Sequence, residues 1–309
     1  MKRPLPEQVP RPTLAHVSPS AGSAELLVIG DVHRHWRPED RRFLERSQPD
    51  LALFVGDLGD EDVELVREIV AIDVPKAVIL GNHDAWQSFT RKRPTQKLQD
   101  SLAALDGTHL AYEVRDLPKA QISLVGARPF SWGGKSLRSP ELYDQLYGIT
   151  DIESSAQRIV SVAQGARFQD LVILAHNGPT GLSEHTRDIY GKDFGDRPGG
   201  DWGDRDLELA IEDLRSQGFR IRAVVAGHMH HRLAHPRGAT RVRFVERDGT
   251  CYVNPAVVPR LRPGDDGAVH GHFLRMKWRA GMLAKLEEIW VDTQCRVVLR
   301  ETPEVFALE

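Results

Sequence analysis

Cysteine is scarce in this chain: Cys251 and Cys295 are the two in 309 residues. They lie far apart and form no CxxC pair, which excludes a disulfide scaffold and a thiolate zinc site. Long apolar runs are missing as well. None approaches the ~20 residues that a membrane-spanning helix needs. Nor does charge of one sign dominate, since 41 basic and 44 acidic residues leave a formal net charge of -3. That balance removes the electrostatic case for broad binding to nucleic acid or to anionic membranes. The basic opening Met1-Lys2-Arg3 leads into a stretch with five prolines before Gly22, not into an apolar segment. Residues 1–23 therefore read as a flexible leader and not as a secretory signal. The expected location is the cytoplasm, with an organelle transit peptide as the alternative. Residues 24–309 are expected to form one domain.

What the chain does have is a recurring pattern: a short apolar run, then Gly or Ala, then polar residues of the kind that bind metals. Leu26–Gly30 precedes Asp31 and His33, Leu51–Gly56 precedes Asp57, and Ala77–Gly81 precedes Asn82, His83 and Asp84. Leu171–Ala175 precedes His176, and Ala223–Gly227 precedes His228 and His230. Runs of four to six apolar residues rich in Val, Ile and Leu predict strands buried on both faces. Helical spacing over 61–69 and 206–217 alternates with them, which implies a sheet covered by helices. Ligands bind at the carboxyl ends of such strands, where all five polar clusters fall. Later segments, 240–245, 250–253, 271–276, 286–291 and 295–299, predict short strands, with Asp248-Gly249 as a hairpin turn. They suggest a second, more antiparallel sheet packed on the first. Residues 181–206 are glycine-rich without apolar periodicity and predict a long loop beside the site.

Asp31 and His33 are two residues apart, so on an extended chain they point the same way and can share an ion. His228 and His230 repeat that spacing. Asp57 has two oxygens and can bridge two ions, Asn82 offers a carbonyl oxygen, and His176 an imidazole nitrogen. Seven oxygen and nitrogen donors without sulfur suit Mn, Fe, Zn, Ni or Co. Two such divalent ions would activate a bridging water as hydroxide and neutralise a phosphoryl group. His83, beside Asn82, is placed to protonate the leaving oxygen, with a carboxylate holding its other nitrogen.

Asp31-x-His33, Gly56-Asp57-x-x-Asp60, Gly81-Asn82-His83-Asp84, His176 and Gly227-His228-x-His230 together resemble the calcineurin-like metallophosphoesterase superfamily, over roughly residues 24 to 256. The resemblance implies a mixed α/β fold in four layers, α/β/β/α, with two mixed sheets flanked by helices. It implies Asp31, His33, Asp57 and His230 on one metal, and Asp57, Asn82, His176 and His228 on the other. It makes His83 the general acid and Asp60 its carboxylate partner. The segments His176–Gly181 and Asp201–Asp204 resemble a branch of the superfamily seen chiefly in photosynthetic lineages.

Two positions depart from the pattern. Arg34 stands where Gly is usual, and Glu61 where many protein-phosphatase relatives carry a phosphate-binding Arg. The second change argues against a phosphoserine/threonine phosphatase. Arg34 and Asn177 are the candidate substrate contacts. Glu61 is expected to start a helix, Asp84 to be a turn carboxylate, and Arg91-Lys92-Arg93 a solvated loop. Trp36, Trp86, Trp132 and Trp202 are expected in packing roles, with base stacking as the alternative. The expected function is hydrolysis of a small phosphomonoester or phosphodiester. One rival is a nucleotide or cyclic-nucleotide phosphodiesterase, for which Trp132, Arg128 or the 181–206 loop would supply a platform. The other rival is a metal-bound, catalytically inactive scaffold or regulatory subunit.

Overall fold

The computed structural model describes residues 22–264 and 267–303. The leader expected over 1–23 lies outside the described residues except for its last two, and Ser23 already opens the first strand. The chain begins with β1 (Ser23–Gly30), α1 (Pro38–Ser47), β2 (Leu51–Val55), α2 (Val63–Val70) and β3 (Lys76–Ile79). A short 3-10 turn, His83–Ala85, leads to α3 (Trp86–Arg91) and α4 (Gln96–Ala104). Then come β4 (Val114–Leu117), β5 (Ile122–Gly126), α5 (Pro140–Tyr147), α6 (Ile152–Ala163), β6 (Asp170–Ala175), α7 (Arg205–Ser216) and β7 (Arg220–Ala226). The remaining strands are β8 (Phe244–Arg247), β9 (Thr250–Val253), β10 (Leu261–Pro263), β11 (Val269–Arg279), β12 (Met282–Val291) and β13 (Val297–Glu301).

Two mixed sheets result. One has the order β13-β12-β11-β1-β2-β3, with β10 also on β11; the other runs β4-β5-β6-β7-β9-β8. In each, parallel strands joined through helices form one part and antiparallel strands the rest. This corrects the expectation of a separate late sheet. The late strands extend both sheets, β11 pairing antiparallel with β1 and β9 parallel with β7. The five motif strands are divided accordingly, β1, β2 and β3 in one sheet and β6 and β7 in the other. Strand type is legible from local pattern, but pairing depends on partners distant in sequence.

Both faces of the motif strands are buried, which is why they read as unbroken apolar runs. Leu26, Val28, Leu53 and Val55 pack with Val172, Leu174, Ala223 and Val225 between the sheets. Their neighbours Leu27, Ile29, Phe54, Ile173 and Val224 point the other way, into the core shared with helix residues such as Leu44, Val66, Ile159 and Leu214. Period-two alternation thus feeds two cores from one strand. Asp248 and Gly249 both have positive φ and turn β8 into β9, as their sequence predicts. Two predicted strands start late: β8 at Phe244, and β13 at Val297, because Cys295 takes a left-handed φ in a turn closed on Asp292.

A candidate metal centre

Beyond β1, β2 and β7 the chain leaves the extended region abruptly. Asp31, His33, Asp57 and His228 all have positive φ, a conformation that costs non-glycine residues about 1 kcal/mol or more each. Backbone bonds hold it: His33 N donates to Asp57 O at 2.7 Å and Arg34 N to Leu58 O at 2.9 Å. Asp31 and His33 therefore converge because of a left-handed turn, not because of strand alternation. Glycines make room beside them. A methyl group at Gly81 would collide with Asp57 Oδ1, at Gly227 with Asp31 Oδ1, and at Gly56 with His176 Nδ1.

Two donor clusters form, Asp31, His33, Asp57 and His230 in one and Asp57, His176 and His228 in the other, with Asp57 in both. In the first, His33 Nε2 lies 3.1 Å from His230 Nε2 and 3.5 Å from Asp57 Oδ2, and His230 Nε2 is 3.5 Å from Asp31 Oδ2. In the second, His176 Nε2 lies 2.9 Å from Asn82 Oδ1 and 3.5 Å from Asp57 Oδ1. Donors that share one ion at ~2.0–2.2 Å stand about 3–3.5 Å apart, so these spacings fit divalent cations. The spacing of His228 and His230 suggested one shared ion; the two instead join different clusters, as the family resemblance implied.

The electrostatics agree with a cation. Burial pushes His33 and His176 down to about 4 and His228 well below its usual value, so their rings are neutral and can ligate at neutral pH. Burial, then the neighbouring Asp31 and Asp84, pushes Asp57 well above the usual carboxylate range. Burial also works against Asp31, but His230, His176 and His33 outweigh it and hold that carboxyl low. Crowded buried carboxylates of this kind call for positive charge between them.

His83 and Asp60 stand at the edge of this centre, His83 Nδ1 being 2.8 Å from Asp60 Oδ1. His83 also lines a cavity of about 620 Å³ together with Asp57, Asn82, His228 and His230. His83, Asp60 and His33 are close enough to form a third donor group.

Arg34 and Asn177 are not among the residues lining that cavity. The exposed Arg34 pairs with Asp62 at 3.1 Å. Buried Asn177 donates to Trp202 O at 2.8 Å and braces the loop after β6. Arg128 is no platform either, being buried in ion pairs with Asp204 at 2.9 Å and Asp206 at 2.7 Å. Glu61 departs from expectation too. It caps α3, a different helix from the one it precedes, accepting from Gln87 N at 2.7 Å and Ser88 N at 3.2 Å, while Asp62 caps α2. Sequence reading also missed the role of Asp84. This carboxylate is buried and accepts from Leu58 N, Gly59 N and Gly81 N, so it ties together the turns that carry Asp57 and Asn82.

Residues 24–232 match the family described as calcineurin-like phosphoesterase. The chain belongs to that family. Among solved structures, one crystal structure aligns at a TM-score of 0.50 and 13% identity, covering 91% of this chain and 99% of the other. GAP50, the anchor in the inner membrane complex of Plasmodium, aligns at 0.48 and 9% identity, covering 91% and 88%. A dimetal phosphatase from Danio rerio aligns at 0.45 and 12% identity, covering 87% and 99%. These likenesses concern the fold. No curated protein matches the chain. Among the described residues, no helix is long and apolar enough to cross a membrane.

Proposed function

We propose that the protein is a two-metal phosphoric ester hydrolase acting on a small phosphomonoester or phosphodiester. The observation that carries this reading is one carboxylate, Asp57, shared by two donor clusters beneath a cavity that His83 also lines. Two bound divalent ions would make a water nucleophilic at neutral pH and offset the charge on the phosphoryl oxygens. Asp31, His33 and His230 would hold one ion, Asn82, His176 and His228 the other, and Asp57 both.

The protein's own residues supply the rest. Asp60 Oδ1 lies 2.8 Å from His83 Nδ1 and would accept its N–H, which turns Nε2 toward the leaving oxygen as the proton donor. As an oxygen–phosphorus bond forms on one side, the bond to the leaving oxygen breaks on the other. The electron pair of that bond passes to the leaving oxygen, which takes the Nε2 proton. The imidazole is then reprotonated from water. All seven donors and His83 are retained, which favours catalysis over a metal-bound scaffold. The test is an activity screen of metal-reconstituted protein, with p-nitrophenyl phosphate and bis-p-nitrophenyl phosphate. Turnover of at least one ester that disappears on chelation and returns with metal is expected. No turnover with any of Mn, Fe, Zn, Ni or Co would overturn the reading.

A further inference from the structure

The cavity above the candidate metal centre has walls that the hydrolysis of a phosphate ester does not itself require. Trp132, Phe194 and Trp202 line it. Among the described residues only two aromatic side chains are exposed, Trp86 at 48% and Phe194 at 38%, and both belong to this region. Trp86 contacts the rings of His83 and Trp132, and Phe194 meets Trp202 edge-on at 5.2 Å. Leaving such rings in water forgoes burial that would otherwise stabilise the fold. The same walls are cationic. Lys135, Arg138 and Arg232 line the cavity, and none is paired with a carboxylate among the described residues. Its one outer acid, Asp193, is already neutralised by buried Arg241 at 3.1 Å. Arg138 lies over the Trp132 ring at 3.9 Å from its centroid, and the Trp132 Nε1 is buried without a hydrogen-bond partner among the described residues.

These walls are braced. Trp202 Nε1 donates to Trp132 O at 2.8 Å, and Gly134 N to Trp202 O at 3.0 Å. Beneath them, Arg128 joins Asp204 and Asp206, and Ser131 donates to Asp204 at 2.6 Å. The loop before α5 and the loop before α7 are thereby locked to each other, so the aromatic surface is preformed. A cavity of about 620 Å³ suits a small molecule.

We propose that this cavity is a nucleotide site. The base of a nucleoside phosphate ester packs against Trp132, Phe194 and Trp202, while Lys135, Arg138 and Arg232 receive the phosphate charge that the metal centre does not. The placement of the scissile phosphate rests on the phosphoesterase reading above. Aromatic and guanidinium planes both accept the π-face of any base, so the site selects for a base more strongly than for its identity. The unpaired cations alone would serve a base-free polyphosphate; the exposed rings would not.

Calorimetry on the metal-reconstituted full chain tests this. ADP should bind about 5- to 100-fold more tightly than inorganic pyrophosphate, and AMP should exceed ribose 5-phosphate similarly, the range that loss of base stacking produces. Phe194→Ala, at an exposed position, should narrow both gaps by several-fold, and Trp132→Leu by more. Pyrophosphate or ribose 5-phosphate binding as tightly as its nucleotide counterpart overturns the proposal, and so do gaps that both variants leave unchanged. A kinetic arm compares thymidine 5′-p-nitrophenyl phosphate with methyl p-nitrophenyl phosphate, which share a leaving group. The nucleotide ester should have the higher kcat/KM, and Phe194→Ala should reduce the ratio of the two. If neither ester is turned over while the calorimetric preference for nucleotides holds, the nucleotide site stands and the phosphoesterase reading falls.

Discussion

His83 stands 2.8 Å from Asp60 and on the wall of the cavity, yet its distance to His33 and Asp60 also allows it to act as a donor to a metal. The two roles separate experimentally. A general acid contributes ~10²–10⁴-fold, and the need for it falls as the leaving group becomes more acidic. His83→Ala should keep both metals, lose about that factor on an alkyl phosphate ester, and lose less on a nitrophenyl ester. Asp60→Asn should show the same selectivity more mildly. The measurement is kcat/KM on both ester types with metal content checked; equal losses, or a lost metal, would give His83 another job. Asp57 invites a second comparison. It is the one carboxylate common to both donor clusters, so Asp57→Asn should reduce kcat at saturating metal more than Asn82→Ala does. Near wild-type turnover from Asp57→Asn would rule out bridging.

At the scale of elements, the turns after β2 and β3 are held by buried acids that do not line the cavity. Asp84 takes three backbone N–H groups from them, and Glu61 takes the first N–H groups of α3 together with the Thr95 hydroxyl at 3.3 Å. Removing a helix cap costs about 0.5–2 kcal/mol. Glu61→Ala should therefore lower stability by about that amount in a denaturant titration, and loosen Trp86, the first residue of α3. Glu61→Arg should destabilise at least as much, because a buried cation would face N–H donors. It should not create phosphopeptide hydrolysis, since the side chain points into α3. A stable Glu61→Arg protein that hydrolyses phosphopeptides would contradict this account. The expectation of poor protein-phosphatase activity in the unmodified chain now rests on the absence of an Arg at this position, with Arg34 engaged by Asp62.

For the whole molecule, the candidate centre joins the edges of two sheets. Asp31, His33, Asp57 and Asn82 follow strands of one, and His176, His228 and His230 follow strands of the other. Ions bound between them would bridge the sheets and stabilise the folded state by mass action. Titration of demetallated protein should reach two ions per chain, and the thermal midpoint should rise with metal. A stoichiometry that never passes one ion would sink the two-metal mechanism, and an unchanged midpoint would show that the sheets do not depend on the metal.

The candidate donors are legible in the chain's local pattern. The first donor of each motif follows its own strand within one to three residues, and an apolar run ending in Gly or Ala before Asp, Asn or His is a local feature. The burial of the motif strands on both faces was legible for the same reason, as in Leu26–Ile29. How these parts are distributed depends on the folded chain as a whole. It separated His228 from His230, divided the strands between two sheets, and sent Glu61 to cap a helix 25 residues further on. It made Asp84 a buried brace and brought Trp132 and Trp202, 70 residues apart, into contact. Those outcomes depend on left-handed turns, sheet register and long-range packing. Such terms are set by partners far along the chain, so no local pattern encodes them.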